Sequence, residues 1–267
     1  MRVVVKVGGS LMKSGVPDAL LDDLAAESSR SQMVVVHGGG DVVTETAAKL
    51  GKEQRFIVSP GGMRSRYTDE ETAKIYTMVM SGLLAKRLVL SLASRGVKAV
   101  SLSGLDGGLI EGRRKERLAV VDDRGRKLMI DGGYTGKVGS VNAGLLGLLL
   151  DAGYTPVVSP VALGAGGVPL NIDGDKAAGA VASALKADAV IFATDVDGLN
   201  VGGSLVLSAT ADEAAAMLPG IGFGMQKKVM AAVEAVRSGV GAAIICSGTR
   251  EQPLARALAR KGCTAIC

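Results

Sequence analysis

Apolar, β-branched runs alternate with helical patterns along almost the whole chain. Six short runs are apolar nearly throughout, which predicts buried strands of a parallel sheet: Val3–Val7, Met33–Val36, Val97–Leu102, Thr155–Ser159, Ala189–Ala193 and Ala242–Cys246. Eight other stretches have helical spacing: Pro17–Ser29, Val42–Leu50, Asp69–Ser94, Val141–Ala152, Lys176–Leu185, Ala211–Leu218, Met225–Ser238 and Pro253–Lys261. This alternation predicts an α/β protein with right-handed crossovers and a doubly wound sheet.

Two features interrupt the alternation and predict a division into two lobes. Leu118–Val121 and Lys127–Ile130 flank the polar run Asp122–Gly125, which predicts a β-hairpin. Further on, Ala162–Val168 is expected to be a loop. We therefore expect an N-terminal lobe over residues 1–160 and a C-terminal lobe over residues 161–267.

Composition narrows the class of protein. The 267 residues correspond to between one and two domains of about 150 residues each. Apolar residues at 48% and charged residues at 21% exclude wholesale disorder. The 38 glycines are about twice the average usage, which favours close approaches of the backbone to a ligand. Aromatic residues at 3% argue against a stacking surface for single-stranded nucleic acid.

Charge and cysteine content suggest the setting in which the chain works. The net charge of +5 is too small to indicate nucleic-acid binding, but it suits an anionic substrate or an acidic partner. Three cysteines and one histidine do not make a zinc site, so no metal ligands are expected. The cysteines are typical of a reduced, cytoplasmic protein. No uncharged apolar stretch reaches about 18 residues, and the opening MRVVVKVGGS predicts a first strand, so neither a membrane span nor a signal peptide is expected.

Two glycine-rich turns follow predicted strands. In Lys6-Val7-Gly8-Gly9-Ser10, an ammonium and free backbone N–H groups could meet an anion, although Lys6 could also be an ordinary charge at a strand end. In His37-Gly38-Gly39-Gly40, backbone N–H groups could face a carboxylate or a developing oxyanion. An esterase is excluded because there is no G-x-S-x-G motif and no second histidine, which favours a structural role for His37.

Four further segments carry candidate chemistry. Arg64 and Arg66 lie within Pro60–Asp69 and could clamp a carboxylate or simply be solvated. Asn171–Lys176 is a polar loop entering a helix, where Asp173 or Asp175 could be the cap. Two other segments lie at a strand end and at a helix start, where ligands bind in open parallel sheets: Thr194–Leu199 and Gly222–Lys228.

Taken in this order, these motifs resemble the amino acid kinase family. The resemblance implies a three-layer α/β sandwich with a mainly parallel central sheet, whose N-terminal lobe binds a carboxylate substrate and whose C-terminal lobe binds ATP. It implies that Lys6 and Lys228 stabilise the transferring phosphoryl group and that Asp175 orients both lysines. Substrate would be held by Gly39, Gly40, Arg66 and Asn171. The nucleotide would be bound by Gly8, Gly9, Thr194, Asp195, Asp197, Gly198 and Leu199, with Mg²⁺ carried mainly by ATP.

Within the family, the resemblance is strongest to the branch that phosphorylates 2-aminoadipate or glutamate attached to an amino-group carrier protein, giving an acyl phosphate in lysine or arginine biosynthesis. The segments that indicate this branch include Ser65–Asp69, Leu102–Gly107 and Tyr134–Gly136, although Lys137 departs from its pattern. The alternatives are a kinase for free N-acetyl-L-glutamate and a non-catalytic nucleotide-binding member. A carboxylate is already ionised at neutral pH, so the reaction needs positioning and positive charge more than a histidine base. A homodimer is the default assembly.

The segment Glu111–Lys127 carries seven basic and four acidic residues, a net charge of +3. A solvated hairpin would account for this run as well as a binding surface would. The functional hypothesis is that these charges border the substrate pocket and attract an acidic carrier protein.

Overall fold

The computed structural model describes all 267 residues, which form 18 strands and ten α-helices. The strands are β1 (Arg2–Val7), β2 (Gln32–His37), β3 (Phe56–Val58), β4 (Arg64–Arg66), β5 (Ala99–Ser103), β6 (Ile110–Arg114), β7 (Arg117–Val121), β8 (Lys127–Asp131), β9 (Gly136–Val141), β10 (Thr155–Ser159), β11 (Val161–Gly164), β12 (Val168–Asn171), β13 (Ala189–Thr194), β14 (Asn200–Val201), β15 (Ser204–Leu205), β16 (Ser208–Ala209), β17 (Ala243–Ser247) and β18 (Thr264–Ile266). The helices are α1 (Gly9–Lys13), α2 (Asp18–Ser28), α3 (Gly40–Lys49), α4 (Glu70–Thr77), α5 (Ala85–Ala93), α6 (Ala143–Asp151), α7 (Gly174–Ala184), α8 (Ala211–Met217), α9 (Phe223–Arg237) and α10 (Pro253–Leu258).

The central sheet has eight strands in the order β16-β18-β17-β13-β1-β2-β10-β5. The six strands predicted from apolar runs are β17, β13, β1, β2, β10 and β5, which are consecutive in this order. All neighbouring pairs among them are parallel. Only β18 runs antiparallel to its neighbour β17. The predicted mainly parallel sheet is thereby confirmed.

Helices cover both faces of this sheet, which gives the three expected layers. Successive residues of β1 point to opposite faces, so Val3 and Val5 enter one apolar core while Val4 enters the other. Each core contains 32 buried residues. A strand buried on both sides must be apolar throughout, which explains why these runs were readable in the sequence.

Two smaller four-stranded sheets lie outside the central sheet. One has the order β4-β3-β7-β8 and contains the predicted hairpin, in which Arg117 pairs with Asp131. The other has the order β12-β11-β6-β9. The expectation of a loop over Ala162–Val168 is wrong, because β11 and β12 form an antiparallel hairpin there around a tight turn of glycines. The lobe boundary between residues 160 and 161 falls at the start of this hairpin and stays a prediction.

The longest helical segment runs from Glu70 to Ala93 through α4 and α5. Its middle, Met78–Leu84, is π-helical, a feature that the sequence pattern did not indicate. By length and composition this is the one segment that could cross a membrane, but 44% of its most apolar window is buried inside the chain. Its buried side chains join the core of the central sheet, as in a core helix of a globular domain.

Candidate active site

The glycine-rich turns meet at the carboxyl ends of the two central strands. β1 lies between β2, the next strand along the chain, and β13, a strand from the second half of the chain. The strand order therefore runs in opposite directions on the two sides of β1, which makes this a switch point where α/β sheets bind ligands. The two turns pack backbone against backbone. A Cβ atom on Gly38 would lie 2.8 Å from the Gly9 nitrogen, so neither turn tolerates a side chain at the contact.

The second turn, His37–Gly40, packs against the π-helical segment Met78–Leu84. Gly39 has a φ of +147°, and a Cβ atom there would lie 2.1 Å from Leu84 Cδ1. His37 is fully buried, with Nε2 2.9 Å from Ser159 Oγ and Nδ1 2.9 Å from the Gly38 carbonyl. Burial lowers the pKa of His37 to about 4, so the ring is neutral at pH 7. These contacts agree with a structural role for His37.

A buried carboxylate joins the two predicted lysines. Asp175 Oδ1 lies 2.8 Å from Lys6 Nζ, and its Oδ2 lies 3.4 Å from Lys228 Nζ. The three side chains come from β1, α7 and α9, and they are 7%, 7% and 17% exposed for Lys6, Asp175 and Lys228. Elements distant in the sequence therefore converge on one cluster.

The electrostatics of this cluster leave one positive charge unbalanced. Burial acts to raise the pKa of the Asp175 carboxyl, but the charges of Lys6 and Lys228 outweigh it and hold the pKa below its ordinary value. Asp175 is therefore ionised at neutral pH, and two ammonium groups share one carboxylate. Such a cluster can accept further negative charge, as a phosphoryl group in transfer would bring.

Asp175 can contact both lysines because Asp173, and not Asp175, caps the N-terminus of α7. Asp173 Oδ1 accepts hydrogen bonds from the backbone N–H groups of Asp175 and Lys176, at 2.9 and 3.1 Å. Of the two cap candidates, Asp173 is the one used.

A cleft of about 660 Å³ extends from the lysine cluster and contains the predicted substrate residues. Lys6, Gly39, Gly40, Arg66 and Asn171 all line it. Arg66 Nη2 donates to the Gly40 carbonyl at 2.6 Å and to Thr44 Oγ1 at 2.8 Å, which fixes the guanidinium beside the glycine turn. Asn171 donates to Thr68 Oγ1 at 2.9 Å. Both side chains are thus oriented before any ligand binds.

The residues predicted to bind the nucleotide lie along the neighbouring strand ends. The Gly8 N–H donates to the Ala193 carbonyl at 2.9 Å, which joins the β1 turn to the end of β13. Of the seven residues predicted to bind the nucleotide, only Gly9 also lines the 660 Å³ cleft. Thr194 Oγ1 donates to Asp195, and Asp197 pairs with Arg250 at 2.6 Å.

The end of this nucleotide segment packs inwards. Leu199 is fully buried, and its N–H donates to Thr264 Oγ1 at 2.8 Å. A Cβ atom on Gly198 would lie 2.4 Å from the same hydroxyl. Gly198 and Leu199 therefore pack into the interior and fix the position of the segment, while Asp195 is exposed at the surface.

Contacts across the cleft mouth join the two predicted lobes. Lys227 Nζ donates to the Arg64 carbonyl at 3.1 Å. The Phe223 ring packs on Gly62, where a Cβ atom would lie 2.5 Å from it. Phe223 opens α9, so the helix that carries Lys228 also touches the β3–β4 hairpin that carries Arg66.

Two residues of the site, and the state of one hydroxyl group, escaped the sequence analysis. Thr44 and Gln54 both accept hydrogen bonds from Arg66, yet neither belongs to a motif. The Thr135 hydroxyl is buried without a hydrogen-bond partner in a residue that lines the cleft. Thr135 belongs to the Tyr134–Gly136 segment named from the sequence, but the sequence did not indicate that its hydroxyl lacks a partner.

The sequence matches the amino acid kinase family over residues 1–247. A protein from Cenarchaeum symbiosum is 50% identical over 264 residues, covering 99% of this chain and 98% of its own. A LysW-aminoadipate/LysW-glutamate kinase from Metallosphaera sedula is 42% identical over 261 residues, covering 97% of this chain and 98% of its own.

Solved structures show the same fold at lower identity. N-acetylglutamate synthase from Neisseria gonorrhoeae superposes with a TM-score of 0.81 at 24% identity, and this chain spans 59% of that longer protein. Carbamate kinase from Giardia lamblia superposes with a TM-score of 0.69 at 16% identity, covering 99% of this chain and 98% of that one. The three-layer α/β architecture is thereby confirmed.

Proposed function

The chain belongs to the amino acid kinase family, and we propose that it transfers the γ-phosphoryl group of ATP to the side-chain carboxylate of LysW-linked 2-aminoadipate or glutamate. The product is an acyl phosphate, an intermediate suited to later reduction in lysine or arginine biosynthesis. The observation that carries this proposal is the buried Lys6–Asp175–Lys228 cluster at the glycine turns, at one end of a cleft that also holds Arg66.

The reaction requires charge stabilisation and alignment from this chain. A carboxylate oxygen forms a bond to the γ-phosphorus while the bond from that phosphorus to the bridging oxygen breaks, and ADP leaves. No proton moves, because the nucleophile is already ionised. Lys6 and Lys228 neutralise charge on the phosphoryl oxygens, and Asp175 keeps both ammonium groups in place before the substrates arrive.

The substrate side is assigned to the N-terminal lobe, with Asn171 contributed by the start of the C-terminal lobe. Gly39 and Gly40 line the cleft at the start of α3, and the N-terminus of a helix stabilises negative charge. Arg66 adds a fixed guanidinium, and Asn171 adds an amide, so a substrate with two acidic or polar ends can be oriented.

The nucleotide side is assigned to the C-terminal lobe, residues 161–267, together with the Gly8–Gly9 turn that the N-terminal lobe contributes. Gly8, Gly9 and the segment from Thr194 to Leu199 form a continuous edge along β1 and β13 that suits ATP. The chain has no cluster of three His, Cys, Asp or Glu side chains able to hold a metal. Mg²⁺ would accordingly be carried mainly by the phosphates of ATP.

We further propose a homodimeric assembly and a cytoplasmic location. The long helix exposes Met78, Leu83 and Leu90, which are 53%, 37% and 70% accessible, and these support a homodimer formed through that face. We assign the chain to the cytoplasm, where ATP and a reducing environment suit a kinase with unpaired cysteines.

Trapping of the acyl phosphate by hydroxylamine tests the proposal. The purified chain is incubated with Mg-ATP and hydroxylamine, together with LysW-linked aminoadipate, LysW-linked glutamate or free N-acetyl-L-glutamate. We expect hydroxamate from the carrier-linked substrates at a kcat/KM at least about 100-fold above that of the free compound. Preference for the free compound would identify an N-acetylglutamate kinase, and no hydroxamate from any substrate would identify a non-catalytic nucleotide-binding member.

A further inference from the structure

The guanidinium of Arg66 is held only by uncharged groups. Its Nη2 donates to the Gly40 carbonyl at 2.6 Å and to the Thr44 hydroxyl at 2.8 Å, and its Nη1 donates to the side-chain oxygen of Gln54. The Phe56 ring, directly opposite on β3, has its centre 5.1 Å from the guanidinium carbon. No carboxylate is among these partners, so no contact offsets the positive charge of Arg66.

Other arginines of the chain are anchored by carboxylates. Arg95 pairs with Asp18 and Asp22, both at 2.6 Å, and Arg114 pairs with Asp131 at 2.7 Å. A carboxylate holds a guanidinium more strongly than an amide or a hydroxyl does, but it also offsets the charge. Neutral anchors give up part of that strength and leave the charge available to an anion.

The charge of Arg66 is kept in spite of its surroundings. Burial lowers the pKa of the Arg66 guanidinium below its ordinary value, yet an arginine remains charged at pH 7. The three hydrogen bonds use three of the five N–H donors of a guanidinium, which leaves two for a ligand in the cleft. A half-buried cation with unused donors and no counter-charge suits an incoming carboxylate.

A second hydrogen bond orients each of the two side-chain anchors. The Thr44 hydroxyl donates to the Gly40 carbonyl at 3.1 Å, so a lone pair of its oxygen is left for Arg66. The Gln54 amide nitrogen donates to Thr72 Oγ1 at 3.5 Å, and its oxygen faces the guanidinium, which can only donate. Neither Thr44 nor Gln54 lines the cleft. Both can therefore act on a bound substrate only through Arg66.

We propose that Gln54 and Thr44 are positioning residues, which hold Arg66 in place without reducing the charge that it presents to the carboxylate substrate. This inference rests on the proposed function, in which Arg66 binds that substrate. Thr44 lies one turn into α3, the helix that begins at the Gly39–Gly40 turn, so the guanidinium is fixed relative to the backbone that lines the cleft. The substrate then meets a site that is already ordered, which reduces the entropy lost on binding.

A charge substitution at Gln54 tests the need for a neutral anchor. Gln54→Glu keeps the size of the side chain and an acceptor oxygen but adds a negative charge beside Arg66. We expect the KM for the carboxylate substrate to rise at least about tenfold, because the added carboxylate competes with that of the substrate. The value of kcat should change less than about threefold, and the Kd for ATP less than about twofold.

The chain contains a matched control for this substitution. Gln32 accepts a hydrogen bond from Arg2 Nε at 2.7 Å, where β1 and β2 begin, at the other end of these strands from the cleft. Gln32→Glu makes the same chemical change beside an arginine that is remote from the substrate. The KM for the carboxylate substrate should then stay within about twofold of that of the unaltered chain.

Two substitutions at Thr44 separate its hydroxyl group from its shape. Thr44→Val removes the hydroxyl at nearly constant volume and should raise the KM for the carboxylate substrate at least about fivefold. Thr44→Ser keeps the hydroxyl and should stay within about twofold of the unaltered chain. A merely structural role would instead lower the free energy of unfolding in urea and kcat together, with no selective rise in KM.

The rate at which phenylglyoxal modifies Arg66, followed by peptide mass spectrometry, completes the test without relying on turnover. Gln54→Ala and Thr44→Val should raise this rate at least about threefold, because fewer hydrogen bonds hold the guanidinium, and Gln32→Ala should leave it unchanged. If the unaltered chain forms hydroxamate but the variants keep its KM, the positioning role is wrong while the proposed function stands. If no substrate gives hydroxamate, the proposed function fails, and an unchanged modification rate at Arg66 would then overturn the positioning role as well.

Discussion

Positive charge is used in two different ways in this chain. In the lysine cluster, Lys6 is buried, Lys228 is largely buried, and Asp175 holds both before any ligand arrives. On the paired strands β6 and β9, Arg113 and Lys137 are exposed, lie opposite each other and have no acidic partner. Buried, oriented charges can act on a transition state, whereas exposed, unpaired charges act mainly on the approach of a partner. Variants in the first region should change kcat, and variants in the second should change kcat/KM and its dependence on salt.

The largest effect is expected at the strand end of the lysine cluster. Lys6→Ala removes an ammonium group that lies 2.8 Å from Asp175, so the developing phosphoryl charge loses one stabilising partner. We expect kcat to fall about 100-fold or more, with a much smaller change in the KM for ATP. Steady-state kinetics with hydroxylamine trapping measure both, and a near-normal turnover would remove Lys6 from the mechanism.

Asp175→Asn should damage folding as well as activity. The substitution leaves the nearly buried Lys6 and Lys228 without a counter-charge, and breaking one partner out of a buried ion pair costs about 3–5 kcal/mol. Urea unfolding should show this loss in the free energy of unfolding. An undiminished stability would indicate that the lysines do not depend on Asp175 for compensation.

Arg66→Ala should act mainly on the carboxylate substrate. The guanidinium is fixed beside Gly40 and lines the cleft that contains the other predicted substrate residues. We expect the KM for the carboxylate substrate to rise about tenfold or more, because an anion loses a charge-assisted contact. The Kd for ATP, measured by calorimetry, should stay within about twofold, and an equal loss for ATP would place Arg66 on the nucleotide side.

A smaller effect concerns pH. Burial lowers the pKa of His37 to about 4 from 6.5, so between these values the unfolded chain binds a proton that the folded chain does not. The stability from this residue is fully present above about pH 6.5 and is lost as the pH falls towards 4. His37→Gln should therefore flatten the dependence of unfolding free energy on pH in that window. An unchanged slope would show that His37 does not titrate abnormally.

The features that could be predicted from the sequence depend on residues that are adjacent in the chain. Lys6 follows an apolar strand and precedes glycines, so its place at a sheet edge could be read from adjacent residues. By contrast, the support of Arg66 by Gln54 and Thr44 depends on how separate elements pack, which leaves no pattern in either segment.

Charge in a basic run was equally hard to interpret from sequence. Arg113 and Arg114 are adjacent, yet pairing with Asp131 satisfies only Arg114, because Asp131 lies on β8 and reaches one of the two. The predicted hairpin comprises β7 and β8, whereas both arginines lie on β6 in a different sheet. Strand pairing, which brings Lys137 opposite Arg113, decided which charges remain free.

We expect phosphoryl transfer to depend on the two lysines that Asp175 holds, Lys6 and Lys228, and not on positive charge in general. Two adjacent lysines of α9 offer a direct test, since Lys228 lies 3.4 Å from Asp175 while Lys227 donates to the Arg64 carbonyl across the cleft mouth. Single-turnover rates with saturating Mg-ATP should fall about 100-fold or more in Lys228→Ala. The loss in Lys227→Ala should be at least about tenfold smaller than that. Equal losses in the two variants, or a larger loss in Lys227→Ala, would contradict the assignment of the lysine cluster as the phosphoryl-transfer centre.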